Sequence, residues 1–423
     1  MQLSGCENRL LDDLRSRLPD PAPARIGIAV SGGSDSMALL HLMNRCFASG
    51  AVQVLAATVD HGLRPGAEEE ARVVEQAARD LGISHVTLRW DKWDGRGNLQ
   101  DQARKARYDL LTRWARSQRI DVLVMGHTMD DQAETVLMRL ARSAGSGGLA
   151  GIPPKRVVDG VAVLRPLLGQ TRADLRSYLK ERGVGWIEDP SNDDTRFERV
   201  RVRQALPELA RLGISADVLA DVARNMQSTN DALAHYAAQE AKTHVGIEAG
   251  DLILNRDGLE AMPAEIARRL LDRAIRWVAG QEHPPRRDPL GKLFAEISAG
   301  RSRTLGGCRI LVKGENVRVC REHGAILGMR CLVTDPWDDR WQFEAPPGNL
   351  LSNELTVAAL GEAGVAQCAE WREFGRPYAA VLADPAVWHG DDLVAAPTLG
   401  KANGWQLKLL RGKEEFFASL LSH

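Results

Sequence analysis

An α/β fold is predicted for the first half of this 423-residue chain: a Rossmann-like, mainly parallel sheet with helices on both faces. A helical domain and a small α+β domain should follow it. Three observations predict this. Short apolar runs alternate with amphipathic stretches through about the first 185 residues. A turn rich in Gly and Ser, SGGSDS, directly follows the first apolar run, IGIAV. The alternation then gives way to Ala-rich helical sequence from about Pro207 to Gly280, and to β-like sequence after Gly300.

The elements follow in order. The N-terminus, MQLSGCENRLLDDLRSRLPD, reads as a short amphipathic helix and lacks the charged-then-apolar pattern of a signal peptide. Strands are predicted over residues 26–30, 52–59, 85–90, 121–125 and 161–164. Helices are predicted over 35–48, 68–81, 99–118 and 131–142. Further helices cover 216–243 and 264–279, and HPPRRDP (283–289) reads as a linker or sharp corner. TLGGCRILVKGENVRVCRE reads as a hairpin turning at residues 313–316. PWDDRW and EAPPGN, within 336–349, mark a junction, and short strands and turns follow from Leu355. The predicted domains are therefore 1–205, 206–335 and 336–423.

Composition narrows the function classes. Charged residues make up 26% and hydrophobic ones 44%, the profile of a soluble globular protein. No apolar run reaches the ~18 residues of a membrane span. The six cysteines (Cys6, Cys46, Cys308, Cys320, Cys331 and Cys368) form no CxxC pair, which argues against a zinc site or a dithiol centre. Reduced thiols in a cytosol are the simplest reading, so a cytoplasmic location is expected. The net charge of -1 gives no global basic field, so nucleic-acid binding would need Lys and Arg gathered into patches.

Ser31-Gly32-Gly33-Ser34-Asp35-Ser36 sits between a buried-strand pattern and a helix. Paired glycines let the backbone approach a ligand closely, and the amides of the turn and helix N-terminus can face an anion. The hydroxyls add donors. The Lys of GxxxxGK[ST] is absent, so this is not that loop. A plain helix cap at Ser34 or Asp35 is the alternative. Residues 126–135, GHTMDDQAET, follow a second apolar run. Asp131 and Glu134 stand three apart and share a helix face, with His127 at the strand end before them. An acidic first turn favoured by the helix dipole is the bland reading. The position of both motifs at strand ends favours a shared site.

SGGSDS resembles the PP-loop of the N-type ATP pyrophosphatases, which cleave ATP between its α and β phosphates. More of the chain is similar to the tRNA(Ile)-lysidine synthase family: VDHGLR (59–64), ARKARY (103–108), GHTMDDQAET, RLARSAGSGGLAGIPP (139–154), RPLL (165–168) and WIEDPSNDDTRFERVRVR (186–203). The resemblance covers nearly all of the first 205 residues, in order. Beyond that it extends only to length, a helical middle and a β-rich end. It implies ATP and Mg²⁺ as cofactors, and as partners free L-lysine and an isoleucine tRNA with a CAU anticodon. A homodimer is an option it leaves open. It implies that the wobble cytidine is adenylated through its O2, and that the lysine ε-amine then attacks C2 and releases AMP.

By the same resemblance, Ser31, Gly32, Gly33, Ser34, Asp35, Ser36, Asp60, His61, Gly126 and His127 would bind ATP, with Asp35 also holding the metal. Asp131 and Glu134 would grip lysine. Asp35, Asp131, Glu134 and Arg107 form the catalytic set. Arg104, Arg196, Arg199, Arg203, Arg301 and Arg303 would meet tRNA. The alternatives are a solvated helix face for Arg104 and Arg107, a helix start laced with Glu–Arg pairs for Arg196, Arg199 and Arg203, and plain solubility for Arg301 and Arg303. Arg268, Arg269, Arg273, Arg276, Arg309, Lys313 and Arg318 are further basic candidates in the second half. The chain departs from the family at Arg199-Val200, where Arg-Asn is usual. The rival readings are a PP-loop tRNA base thiolase, for which no CxxC exists, and a non-catalytic tRNA-binding protein.

Overall fold

The computed structural model describes residues 5–62, 66–90, 99–189, 194–281, 287–347 and 354–421. Leu63 and Arg64, the turn at Pro190-Ser191-Asn192 and most of HPPRRDP lie outside them. The chain forms two compact units, Met1–Asn230 and Asp231–His423. The boundary expected near residue 205 falls inside a helix, Glu198–Arg211.

The elements of the first unit, in order, are α1 (Gly5–Ser16), β1 (Arg25–Ala29), α2 (Ser34–Cys46), β2 (Gln53–Asp60), α3 (Ala67–Asp80), β3 (Ser84–Arg89), α4 (Leu99–Ser117) and β4 (Val122–Met125). There follow α5 (Met129–Leu140), α6 (Ser146–Leu149), β5 (Lys155–Val158), β6 (Val161–Leu164), α7 (Arg172–Glu181) and α8 (Glu198–Arg211), while α9 (Ala216–His244) runs across the boundary into the second unit. The strands form one sheet in the order β3-β2-β1-β4-β6-β5, parallel throughout except for the β5/β6 hairpin at its edge. That hairpin turns at Asp159-Gly160, both with positive φ. An Asp-Gly dipeptide between apolar runs is a strong hairpin signal, which a reading tuned to strand–helix alternation passes over.

Alternation along the strands builds two cores. Ile26, Ile28, Val122 and Val124 face one side and pack with Leu39, Leu40 and Leu42 of α2, and with Leu175 and Leu179 of α7. Leu123 and Met125 face the other side and pack with Leu111 and Trp114 of α4. Gly27 makes this second layer possible, since a Cβ there would lie 2.9 Å from the Trp114 ring. Being buried on both faces, these strands read as continuous apolar runs.

In β1/β4, Ala29 lies opposite Met125. The segments leaving the two strands, SGGSDS and GHTMDD, are therefore neighbours. β1 is also the strand at which the order of connection reverses, so both loops open from the carboxyl end of the switch point where α/β sheets bind ligands.

The second unit contains a five-stranded antiparallel sheet, ordered β7-β8-β11-β10-β9. Its strands are β7 (Val245–Glu248), β8 (Asp251–Asn255), β9 (Arg303–Leu305), β10 (Cys308–Lys313) and β11 (Asn316–Arg321). The expected hairpin is present, with Lys313 paired to Asn316. β7 and β8 lie within sequence read only as helical; their turn uses positive φ at Ala249 and Gly250. The unit is not divided at residue 335. Phe416 and Leu420 enter the same core as Leu270 and Ile275, and Arg376 pairs with Asp251 at 3.3 Å.

Candidate active site

The SGGSDS turn is held by its own hydroxyls. Ser36 Oγ accepts from the Ser31 amide (3.1 Å) and donates to the Gly33 carbonyl (3.0 Å). Gly32 has φ +86°, a left-handed conformation, and its carbonyl accepts from the Ile187 amide at 2.9 Å. α2 begins after Gly33 with no side-chain cap. The hydroxyls of the turn thus leave the first-turn donors of α2 uncapped, as an anion-binding helix start requires. Gly126 completes the wall, since a Cβ there would stand 3.1 Å from the backbone of Asp35 and Ser36.

At the second loop, Thr128 caps α5. Asp131 closes the capping box, its Oδ2 accepting from the Thr128 amide (2.8 Å) and hydroxyl (3.1 Å). The acidic first turn therefore has the structural role that the bland reading gave it. It has a second one as well: Asp131 Oδ1 accepts from Arg199 at 3.1 Å and Arg172 at 3.3 Å. Glu134 is fully buried and accepts from Arg199 (2.5 Å) and Arg203 (2.7 Å), with Arg172 at 3.6 Å. The same Arg172 donates through Nε to Asp35 at 3.0 Å. One guanidinium thus ties the SGGSDS turn to Asp131 and Glu134 of GHTMDDQAET.

Charge follows geometry. Burial raises the Asp35 carboxyl above its usual range, although Arg172 draws it down. Burial opposes ionisation of Asp131 too, but Arg199 and Arg172 outweigh it and hold the carboxyl low. His61 sits edge-on to Trp90, with ring centroids 5.8 Å apart, and its buried Nδ1 has no hydrogen-bond partner among the described residues. Burial and then Arg107 push its imidazole down to about 4. Asp60 accepts from the Gly62 amide at 2.9 Å. His127, whose Nδ1 also has no partner among the described residues, is pushed down to about 3, chiefly by burial. Both rings are neutral in the folded protein at pH 5, whereas an unfolded histidine titrates near pH 6.5. The unfolded chain then binds more protons, so stability should fall as pH drops from about 7 towards 4. The variant His61→Gln should flatten that slope by about one proton in urea titrations at stepped pH. Asp35 acts in the opposite sense and cancels in the comparison.

The predicted site residues divide by position. Asp35, Asp131, Glu134, Arg199 and Arg203 meet in one cluster. Arg107 and Arg104 are exposed on α4; Arg107 acts on His61, and Arg104 stacks on Tyr108 at 5.5 Å. Arg196 is exposed and chelated by Asp194. Arg301 and Arg303 belong to the second unit, where Arg303 pairs with Glu296 at 2.7 Å and Arg301 is exposed. Arg318 is no free surface charge: it is held by Asp251 and Glu248, and so drops out as a basic candidate. Val200 is buried at 6% exposure, so the departure from Asn places a methyl-bearing side chain where an amide would need a partner.

Sequence reasoning missed Arg172, Arg165 and Arg139. Arg165 is buried, donating to Tyr108 Oη (3.1 Å) and the Pro153 carbonyl (2.7 Å). Arg139 donates to the carbonyls of Gly148 and Gly151, fixing the AGSGGLAG loop. Among the described residues, no group of three or more His, Cys, Asp or Glu could hold a metal ion. No described helix is long and apolar enough to cross a membrane.

Comparison with known proteins fits this geometry. Residues 7–209 match the model of the PP-loop domain. The tRNA(Ile)-lysidine synthase of Ruegeria pomeroyi is 49% identical, with 98% of each chain covered. That of Methylobacterium nodulans is 41% identical over 71% of this chain and 91% of its own. Among solved structures, the U34-tRNA thiolase NcsA of Methanococcus maripaludis aligns at a TM-score of 0.47 and 16% identity, over 53% of this chain and 80% of that one.

Proposed function

This chain belongs to the tRNA(Ile)-lysidine synthase family of PP-loop enzymes, and we propose how its residues divide the work of that ligase. It is a tRNA-modifying ligase with an ATP-binding domain. Its reaction joins free L-lysine to C2 of the wobble cytidine of an isoleucine tRNA with a CAU anticodon. In the first step the cytosine O2 attacks the α-phosphate of ATP and pyrophosphate leaves. In the second the ε-amine of lysine attacks C2 and AMP leaves. The observation that carries this reading is the Arg172 bridge, which puts the phosphate-facing turn and the acidic pair in one site.

Ser31, Ser34, Ser36 and the α2 amides offer donors to the charge that develops on the α-phosphate. Asp60 and His61 line the adenosine side, with Gly126 and His127 behind the turn. Asp35, whose Oδ1 accepts from Ser34 and whose Oδ2 accepts from Arg172, is the carboxylate that would hold Mg²⁺ beside phosphate oxygens, where the ion would neutralise phosphate charge. Asp131 and Glu134 receive the lysine ammonium. An amine with a pKa of ~10.4 is neutral in only about one molecule in 10³ at pH 7, so a carboxylate of this group must take its proton. Arg107 belongs to the catalytic set and would hold phosphate or the adenylated base, while Arg104, Arg196, Arg199 and Arg203 face the anticodon arm. The second unit, with Arg301 and Arg303, reads distant parts of the tRNA, because a methionine tRNA can present the same triplet. The setting is cytoplasmic.

Incubation with isoleucine tRNA transcript, ATP and radiolabelled lysine, followed by nucleoside analysis, tests the reading. Labelled lysidine is expected, with pyrophosphate release that needs tRNA. Release of pyrophosphate without tRNA, or an unlabelled nucleoside, would overturn it.

A further inference from the structure

We propose that Arg273, Arg276 and Arg411 form a phosphate-binding cavity in the second unit, and that a backbone phosphate of bound tRNA occupies it. The inference rests on the reading that this unit contacts tRNA, and it adds the residues that hold the backbone there.

Arg273 and Arg276 stand three apart on the helix Ala264–Ala279 and share one of its faces. Arg411 reaches the same cavity from the turn between the strand Gln406–Leu409 and the helix Lys413–Leu421. The cavity measures about 160 Å³. Pockets that hold drug-sized ligands run to about 300–1,000 Å³, so this one suits a phosphate group and not a whole nucleotide. Gln281 and Ser419 add neutral polar groups to its lining. Trp277 lines it too, and its buried Nε1 has no hydrogen-bond partner among the described residues. A buried N–H of this kind calls for an acceptor.

The charges at the cavity do not balance. Its carboxylates are Glu415, in the lining, and Asp272, which lies 3.7 Å from Arg276 and acts on Arg273 and Arg268 as well. Arg268 and Arg269, a turn earlier, both pair with Glu265. Lys413 and Glu414 are exposed and offset each other. Arg340, over the Trp277 ring at 5.6 Å, faces Asp338 and Asp251. Three guanidiniums are thus left against two carboxylates, and burial raises the Asp272 carboxyl. Burial and then Arg276 push Arg273 down to about 10, although Asp272 draws it up. A cation in the last turn is favoured by the helix dipole, which accounts for Arg276 but not for the convergence of Arg273 and Arg411 on it. A phosphodiester carries one negative charge and two free oxygens. It balances the set and accepts from guanidinium forks.

Filter binding of isoleucine tRNA transcript to the full chain, over about 50 to 300 mM salt, tests this. In Arg411→Gln the slope of log affinity against log salt should be shallower than in the wild type by about one, with affinity about tenfold weaker at the low end. An unrelated tRNA should lose affinity by the same factor, because a phosphate contact carries no sequence information. Arg411→Lys keeps the charge and should keep the slope. Arg273→Gln should repeat the Arg411→Gln result. Arg411 lies half-buried in a turn, so the test stands even if Arg273→Gln fails to fold. Wild-type slope and affinity in Arg411→Gln would overturn the cavity. Sodium pyrophosphate is the second arm. If it raises the melting temperature of the wild type but not of Arg411→Gln, while tRNA binding is the same in both, the cavity takes a free anion and the tRNA occupant falls. If reversing Arg301 and Arg303 to Glu weakens tRNA binding and Arg411→Gln does not, only the cavity falls. If neither does, the reading of the second unit falls with it.

Discussion

Replacing Glu134 by alanine should destabilise the first unit by about 3–5 kcal/mol and abolish lysidine formation. Glu134 is fully buried, and the guanidiniums of Arg199, Arg203 and Arg172 converge on it. Without its charge, three cations share a site with Asp131 and Asp35 alone. Breaking a buried ion pair from one side costs far more than the pair contributes, because the remaining charge stays desolvated. Urea unfolding followed by circular dichroism measures the first effect. The variant Glu134→Gln separates the second. It keeps the volume and an acceptor oxygen, so it should fold, yet it should need more lysine for half-maximal rate while tRNA-dependent pyrophosphate release changes less. Wild-type stability and lysine dependence in both variants would remove Glu134 from both roles.

That double role explains why the site was only partly legible in the sequence. SGGSDS and GHTMDDQAET announce themselves through local composition at the ends of apolar runs, and sheet register brings them together without further information. The spacing of Asp131 and Glu134 correctly places both on one face of α5. Arg172 carries no such signal. It opens α7 in TRADLRSYLK, where an arginine reads as an ordinary exposed residue, and its partner Asp35 lies 137 positions away. A long-range ion pair leaves no trace in periodicity. The arginines of ERVRVR are visible as a basic run and read as tRNA contacts or as a helix start laced with local Glu–Arg pairs, because the carboxylates they meet, Asp131 and Glu134, sit on another helix. Gly126 is similar: as one residue between a strand and a helix it looks like a turn, and only the approach of α2 shows why a side chain is excluded.

The glycine pair in the turn offers the sharpest separation of folding from chemistry, since its two members are constrained by different things. Gly32 is required by the fold. At φ +86° an alanine is strained by about 1–2 kcal/mol, and its Cβ would stand 2.5 Å from Ile187 Cδ1. Gly32→Ala should lower the melting temperature and, by displacing the turn, reduce kcat/KM for ATP about 100-fold. Gly33 has an ordinary backbone, φ -69° and ψ 161°, and a Cβ there would meet nothing closer than Ser31 Oγ at 3.9 Å. In the protein alone, Gly33→Ala should change stability little, because the less flexible unfolded chain offsets the poorer fit of alanine at the helix N-cap. On the proposed reading, a phosphate would come close to the uncapped amides of α2 through the open space above Gly33. The alanine methyl should therefore weaken ATP use tenfold or more in tRNA-dependent pyrophosphate release while the melting temperature holds. If Gly33→Ala uses ATP as the wild type does, the phosphate does not lie on that face of the turn, and the serine hydroxyls rather than the helix amides must carry it.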